Sequence, residues 1–219
     1  MKKINVITID GPSASGKGAL ARGISNSFGF KILDSGVLYR LFAYLTNINF
    51  SEDEIANQIE RNVDFVNNKQ KLSISFQDED ITNELRTEAV AKLASEHSSK
   101  KEVRDALFNI QRSFYDGSGL VADGRDMGTV VFKDAKLKIY LTASPEVRAK
   151  RRYLELQNSK QEVNMLALID DIKERDLSDS TRELSPLLPA DDAHIIDSSD
   201  MSLDDVFSYA ENLIRKEFI

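Results

Sequence analysis

Residues 11–17 read Gly-Pro-Ser-Ala-Ser-Gly-Lys, a GxxxxGK pattern. Its chemistry follows from its parts. Glycines let a backbone curl so that successive N–H groups point inward at phosphate oxygens. A helix starting near Lys17 adds the positive end of its dipole. The Lys17 ammonium can reach a phosphate under transfer. A phosphate-binding loop is therefore predicted over Gly11, Pro12, Ser13, Ala14, Ser15, Gly16, Lys17, Gly18 and Ala19. The pattern departs from its usual form after the lysine. Gly18 and Ala19 stand where a Ser or Thr hydroxyl ordinarily binds Mg²⁺. No direct side-chain metal ligand is expected. Mg²⁺ would arrive with ATP, held by phosphates and waters, with water-mediated help from Asp34 or Asp123. The other reading of those two aspartates is a polar residue ending a strand.

Arginines fall where a second anion would sit. Arg40 follows Asp34-Ser35-Gly36, and Arg125 and Asp126 lie in Ala-Asp-Gly-Arg-Asp-Met-Gly-Thr, just after an apolar run. Arg148, Arg151 and Arg152 share one face if helical, as do Arg175, Asp179 and Arg182 if their helix continues. Taken alone, the first set has a solvated basic face as its alternative, and the second reads first as a surface salt-bridge ladder. A lid that expels water from a phosphoryl-transfer site accounts for both, with the polar stretch 158–164 as its mobile tip. Bringing a triphosphate donor to a monophosphate acceptor gathers about six negative charges. Guanidinium forks suit that task. Lys17, Arg125 and Arg152 are the expected catalytic groups.

These residues need a frame. Ile4–Asp10 is a short apolar, β-branched run ended by Gly11-Pro12, which predicts a buried strand. Leu20, Ile24 and Phe28 have helical spacing, Lys31–Asp34 is a second strand, and Val37–Leu45 is helical. The order strand–loop–helix–strand–helix predicts a parallel α/β sheet. Val63–Val66 and Leu72–Phe76 flank Asn67–Gln70 and predict a hairpin. Helices are expected over Glu84–Glu96 and Lys101–Tyr115, then strands at Leu120–Asp123 and Leu137–Leu141. Pro145 opens a basic helix to Asn158, Met165–Asp176 is helical, His194–Asp197 is a last strand and Leu203–Lys216 a last helix. The predicted architecture is a parallel sheet flanked by helices, of the P-loop NTPase type. The core spans about 1–61, 96–147 and 186–219, with an inserted β-containing lobe at about 62–95 and a short helical lid at about 148–185.

Composition removes several function classes. With no cysteine, disulfides, thiolate metal sites and Cys nucleophiles are excluded, and two histidines make a His-rich metal site improbable. The formal charge of −7 disfavours a nucleic-acid partner, which needs a basic surplus, yet permits a locally basic cleft. No leader or membrane-spanning run is recognisable. A cytoplasmic location and a monomer are expected. The only Asn-Lys pair, Asn68-Lys69, is followed by Gln70-Lys71 and lacks the Asp of a guanine-reading segment.

The chain resembles bacterial cytidylate kinases nearly end to end. The resemblance is carried by TIDGPSASGKG, LDSGVLYR, NELRTEAV, GLVADGRDMGTVVF, RAKRR, IKERD and HIIDSSDMSLDDV. It implies γ-phosphoryl transfer from ATP to CMP or dCMP, with residues 62–95 as the monophosphate-binding lobe. It also implies an acceptor-phosphate grip by Arg40, Arg125 and Arg182 with Ser35 beside it. Sugar contacts would fall on Arg175 and Asp179, and base contacts on Ser95, Arg104 and Asp126. Relatives often carry Ser or Thr at position 18 or 19, so the departure noted above holds within the family too. Two other readings stay open at this point. One is a kinase for another acceptor, such as UMP or a metabolite alcohol. The other is a nucleotide-dependent regulator or nucleic-acid-binding module that uses ATP only as a switch.

Overall fold

The computed structural model describes residues 3–68, 71–158 and 164–218. Its centre is a five-stranded parallel sheet made of β1 (Ile4–Asp10), β2 (Lys31–Asp34), β6 (Leu120–Gly124), β7 (Ala135–Thr142) and β8 (His194–Asp197) in the order β2-β6-β1-β7-β8. β1 is buried on both faces after Asn5, which explains its unbroken apolar run. A register pairing Asp10 with Gly124 and Asp34 with Asp123 brings the carboxyl ends of three strands to one edge. In open α/β sheets that edge is where ligands bind.

Helices α1 (Lys17–Phe28), α2 (Ser35–Asn47), α5 (Lys101–Ser113) and α8 (Leu203–Phe218) flank the sheet. Two apolar clusters lie on its faces. One joins Ile7, Ile9, Leu20, Ile24 and Leu141 with Val206 and Ile214 of α8. The other joins Leu33, Phe42 and Leu120 with Ile74, Phe76 and Ile81, so the inserted segment packs into the main core. That segment holds β3 (Val63–Asn68), β4 (Lys71–Phe76) and β5 (Glu79–Asp80), an antiparallel sheet, followed by α4 (Glu88–His97). The pair α6 (Pro145–Asn158) and α7 (Met165–Thr181) has a small core of its own around Ala149, Leu156, Leu168 and Ile172. Among the described residues no helix is long and apolar enough to cross a membrane.

Several boundaries differ from expectation, each for a local reason. α2 starts at Ser35 rather than Val37, because Asp34 caps it by accepting from Val37 N at 3.1 Å. The helix expected over Glu84–Glu96 is divided. A 3₁₀ turn over Glu84–Arg86 ends where Thr87 caps α4. An unpredicted helix, α3 (Glu52–Asn62), precedes the hairpin; its signal was the Ser51/Glu54 capping box ahead of Ile55 and Ile59. α5 ends at Ser113, and α7 runs past Asp176 to Thr181. The centre of the expected hairpin turn, residues 69–70, lies outside the described residues. So does most of the expected lid tip, residues 159–163.

Asp10 locks the strand ends together. Its two carboxylate oxygens accept from the backbone N–H groups of Met127 and Gly128, at 2.8 and 2.7 Å. Those residues open a single π-helical turn, Met127–Val131, immediately after Arg125-Asp126. The carboxyl is fully buried, and burial pushes it up to about 7 against the pull of the two donors. Asp10→Asn offers one oxygen where two are used and orphans a buried N–H. It is expected to lower unfolding stability by about 1–3 kcal/mol, read by urea denaturation.

Candidate active site

The phosphate loop is built between β1 and α1. Gly11 has φ +149°, and a Cβ there would collide with the Leu141 carbonyl, so only glycine fits against β7. Gly16 at φ +101° and Ala14 at φ +58° complete the curl in left-handed backbone. Lys17 is buried and donates from Nζ to the Pro12 carbonyl at 2.8 Å. Two carbonyls on the loop's outer side are held from α6. Arg148 Nη1 donates to Ser13 O at 3.3 Å, and Arg151 Nη1 to Ser15 O at 3.0 Å. Arg151 also binds the Ser198 hydroxyl and carbonyl, at 3.0 and 2.8 Å. Arg148 reaches Asp176 of α7 with both terminal nitrogens. The basic face expected on α6 is therefore no solvated stripe, since two of its arginines brace the loop from behind.

In front of the loop lies an open cleft, lined by Ser13, Ala14 and Lys17 on the loop side. Five arginines from four segments line it: Arg40, Arg104, Arg125, and Arg175 with Arg182 on α7 and its C-terminal end. Ser35, Ser95, Asp126 and Asp179 line the same space. Every residue assigned to acceptor binding from the sequence thus faces one cleft. Arg152 does not. It pairs with Glu88 of α4 and with Glu155, the latter at 3.1 Å, outside the cleft lining.

The carboxylates order the arginines. Asp179 accepts from Arg125 Nε at 2.9 Å and lies 3.6 Å from Arg182. Burial alone would raise the Asp179 carboxyl, but Arg125, Arg175 and Arg182 together hold it below its usual range. Arg104 donates to Asp126 and to the Ser98 carbonyl, the latter at 3.0 Å, and its guanidinium lies over the Tyr39 ring at 5.8 Å. Arg40 donates to Leu85 O at 2.7 Å and Arg182 to Ser185 O at 2.6 Å.

Positive charge exceeds what these partners neutralise. Burial lowers Lys17, and the nearby Arg125 lowers it further, while the carboxylates of Asp123 and Asp34 oppose the shift. Arg175 is pushed down to about 10 by burial and by Arg125. Its Nε and the Nη2 of Arg182 are buried donors without a partner. Such a cleft favours a polyanion that supplies oxygens to unpaired donors. On the other side of Lys17, burial and the neighbouring Asp34 push the Asp123 carboxyl up, against the pull of Lys17. Two carboxylates that disfavour each other's charge can share a cation. Among the described residues no cluster of three acidic or histidine side chains could hold a metal directly.

Sequence reasoning missed two side chains of the site. Tyr39 lies one helical turn after Ser35, and Gln111 lies two turns after Arg104, so spacing from the chosen residues was the available signal.

A family model described as Cytidylate kinase matches residues 7–216. A cytidylate kinase from Photorhabdus laumondii subsp. laumondii is 45% identical over 216 residues, covering 96% of this chain and 95% of its own. One from Serratia proteamaculans is 44% identical over 210 residues, covering 94% and 92%. An uncharacterized protein from Eubacterium ventriosum has a solved structure with a TM-score of 0.53 at 12% identity over 98% and 99% of the two chains, a likeness of fold alone. Identity of this order across almost the whole length, on a chain that builds a phosphate loop facing an arginine-lined cleft, makes the protein a member of the cytidylate kinase family.

Proposed function

We propose that this chain transfers the γ-phosphoryl group of ATP to CMP or dCMP, giving ADP and CDP or dCDP. One observation carries the reading: the phosphate loop and five arginines face the same cleft, which also holds a buried Arg104–Asp126 pair. The loop and Lys17 bind the donor phosphates. Arg40, Arg125 and Arg182, with Ser35, grip the acceptor phosphate. Arg175 and Asp179 take the sugar.

The base is read by Arg104, Asp126 and Ser95. Cytosine presents acceptors at O2 and N3 beside a donor amine at position 4. Arg104 donates to the first two and Asp126 accepts from the third. Uracil reverses the pattern at N3 and position 4 and leaves buried partners mismatched, which can discriminate by orders of magnitude.

The reaction is an in-line displacement. An acceptor-phosphate oxygen forms a bond to the γ-phosphorus as the bond from that phosphorus to the β–γ bridging oxygen breaks, and ADP leaves. The attacking oxygen is already anionic, so no base need lift a proton. The chain's work is alignment and charge stabilisation by Lys17 and Arg125. Kinase use of ATP implies a divalent metal. Mg²⁺, bound to ATP and steadied through waters by Asp34 and Asp123, would neutralise part of the phosphate charge. Arg152 joins the donor phosphates by exchanging Glu88 for them as residues 148–185 close as a lid over the lobe at 62–95. A monomer in the cytoplasm is part of the same proposal.

Three measurements test this. In a coupled assay with ATP and Mg²⁺, CMP and dCMP should be phosphorylated, with UMP and AMP much poorer; equal use of UMP would remove the base-reading role of Arg104 and Asp126. Arg125→Ala should cut kcat by about a hundredfold or more, the size of a lost transition-state contact, while near-normal turnover excludes it from the mechanism. The third concerns pH. Burial and Arg125 bring Lys17 down to about 8 in the free protein. It is charged below that pH and loses its proton above it. Because kcat/KM reports the free enzyme, its value for ATP should fall as pH rises through about 8. The kcat should hold to higher pH, since bound phosphates raise the ammonium again. A kcat/KM that stays flat well above that pH counts against Lys17 as the donor-phosphate clamp.

A further inference from the structure

Ser35 opens α2 and lines the cleft, yet its side chain is nearly inaccessible from any other direction. Behind it lies Gln111 of α5, which is 2% exposed and is not part of the cleft lining. Gln111 Nε2 donates to Ser35 Oγ at 2.9 Å. Tyr39 lies one turn further along α2, with its ring beneath the Arg104 guanidinium. Arg104 and Gln111 are two helical turns apart on α5, so one helix face carries both.

The consequence is a matter of hydrogen-bond polarity. A hydroxyl has one proton and two acceptor lone pairs. An amide NH₂ only donates, so it occupies a lone pair of Ser35 and leaves the proton to point elsewhere. A serine inside a helix can give that proton to the carbonyl one turn back. Ser35 is the first residue of α2 and has no such carbonyl in its own helix. The open direction is the cleft. A phosphate monoester near neutral pH presents acceptors almost exclusively, so a serine locked as a donor matches it.

We propose that Gln111 is a positioning residue for the acceptor nucleotide. It fixes the Ser35 hydroxyl as a donor toward the acceptor phosphate. This rests on the CMP reading given above. Gln111 does not line the cleft; it acts through Ser35, which does.

Gln111→Leu approximates the shape and removes the bond to Ser35. The KM for CMP should rise about tenfold, the scale of one hydrogen bond to a charged group, while the KM for ATP stays within about twofold. In a Ser35→Ala background the same change should add less than about twofold, because the partner through which it acts is already gone. A merely structural glutamine predicts something else: a lower melting temperature, similar shifts for ATP and CMP, and effects that multiply with Ser35→Ala. An unmoved KM for CMP, parallel shifts for both substrates, or multiplying effects would each overturn the proposal. If Gln111→Leu does not fold, the isosteric Gln111→Glu serves. Its carboxylate accepts the Ser35 proton and turns oxygen lone pairs toward the phosphate, so the KM for CMP must rise more than tenfold; an unchanged value overturns the proposal. The unmodified chain is the control. If it does not phosphorylate CMP, the functional reading fails; if it does and the variants behave normally, only the role of Gln111 fails.

Discussion

Concentrated positive charge around one cleft is the constraint that the rest of the structure answers. Lys17 and five arginines crowd a space largely shielded from water, where each loses hydration and repels the others. The fold meets this with interleaved carboxylates rather than with exposure. Asp179 stands between Arg125 and Arg182, Asp126 takes Arg104, and Asp123 and Asp34 face Lys17. Backbone carbonyls of Leu85 and Ser185 take Arg40 and Arg182. Each partner satisfies a cation only in part, so the surplus remains available to phosphate. The formal charge of −7 then makes sense as an acidic exterior around a basic interior.

That arrangement depends on the sheet edge. Arg125 and Asp126 belong to a loop whose backbone would otherwise be free to move relative to the phosphate loop. Asp10 prevents it by binding two N–H groups of the turn that follows them. Asp10 is also the last residue of the strand that leads into Gly11. One buried carboxyl therefore fixes the phosphate loop and the turn after Arg125-Asp126 in a single register. The brace on the other side is supplied by Arg148 and Arg151 at the carbonyls of Ser13 and Ser15. A loop whose carbonyls are engaged from outside is held in the conformation that frees its N–H groups for phosphate.

What could be read from the chain divides by the range of the interaction. β1 and β6 carried their own signals, because a buried parallel strand is an uninterrupted apolar run with turn residues at its end. The phosphate loop was legible for the same reason: its chemistry lies within one contiguous stretch. Ser95 and Arg104 were not readable from their own surroundings. Each sits on an amphipathic helix, and only their placement in one cleft with Asp126 distinguishes them from surface residues; the family resemblance supplied them. The roles of Arg148 and Arg151 were hidden likewise. Their spacing marks a shared face, but the serine carbonyls that the face meets are more than a hundred residues away in sequence. Helix ends were set by single caps, Asp34 and Thr87, which compete with the apolar pattern over one or two residues.

The way α6 and α7 are attached bears on how such a site can admit two nucleotides and still exclude water. The pair keeps a small apolar core to itself, with Ala149, Leu156, Leu168 and Ile172 buried between the two helices. Its ties to the remainder are polar: Arg151 to Ser15 and Ser198, Arg152 to Glu88, and Asp179 to Arg125. Separating packed apolar surfaces costs free energy in proportion to the area exposed. Polar partners differ, because water or a phosphate oxygen can replace a carboxylate or carbonyl at small net cost. A pair held together by its own core, and held to the rest by exchangeable polar contacts, can shift as a unit without opening either main core. The inserted segment is built the opposite way, since Ile74, Phe76 and Ile81 share the principal apolar cluster with Phe42 and Leu120. The division of packing therefore leaves α6–α7 tied to the rest by polar contacts, and the segment between β3 and α4 tied through the principal apolar cluster.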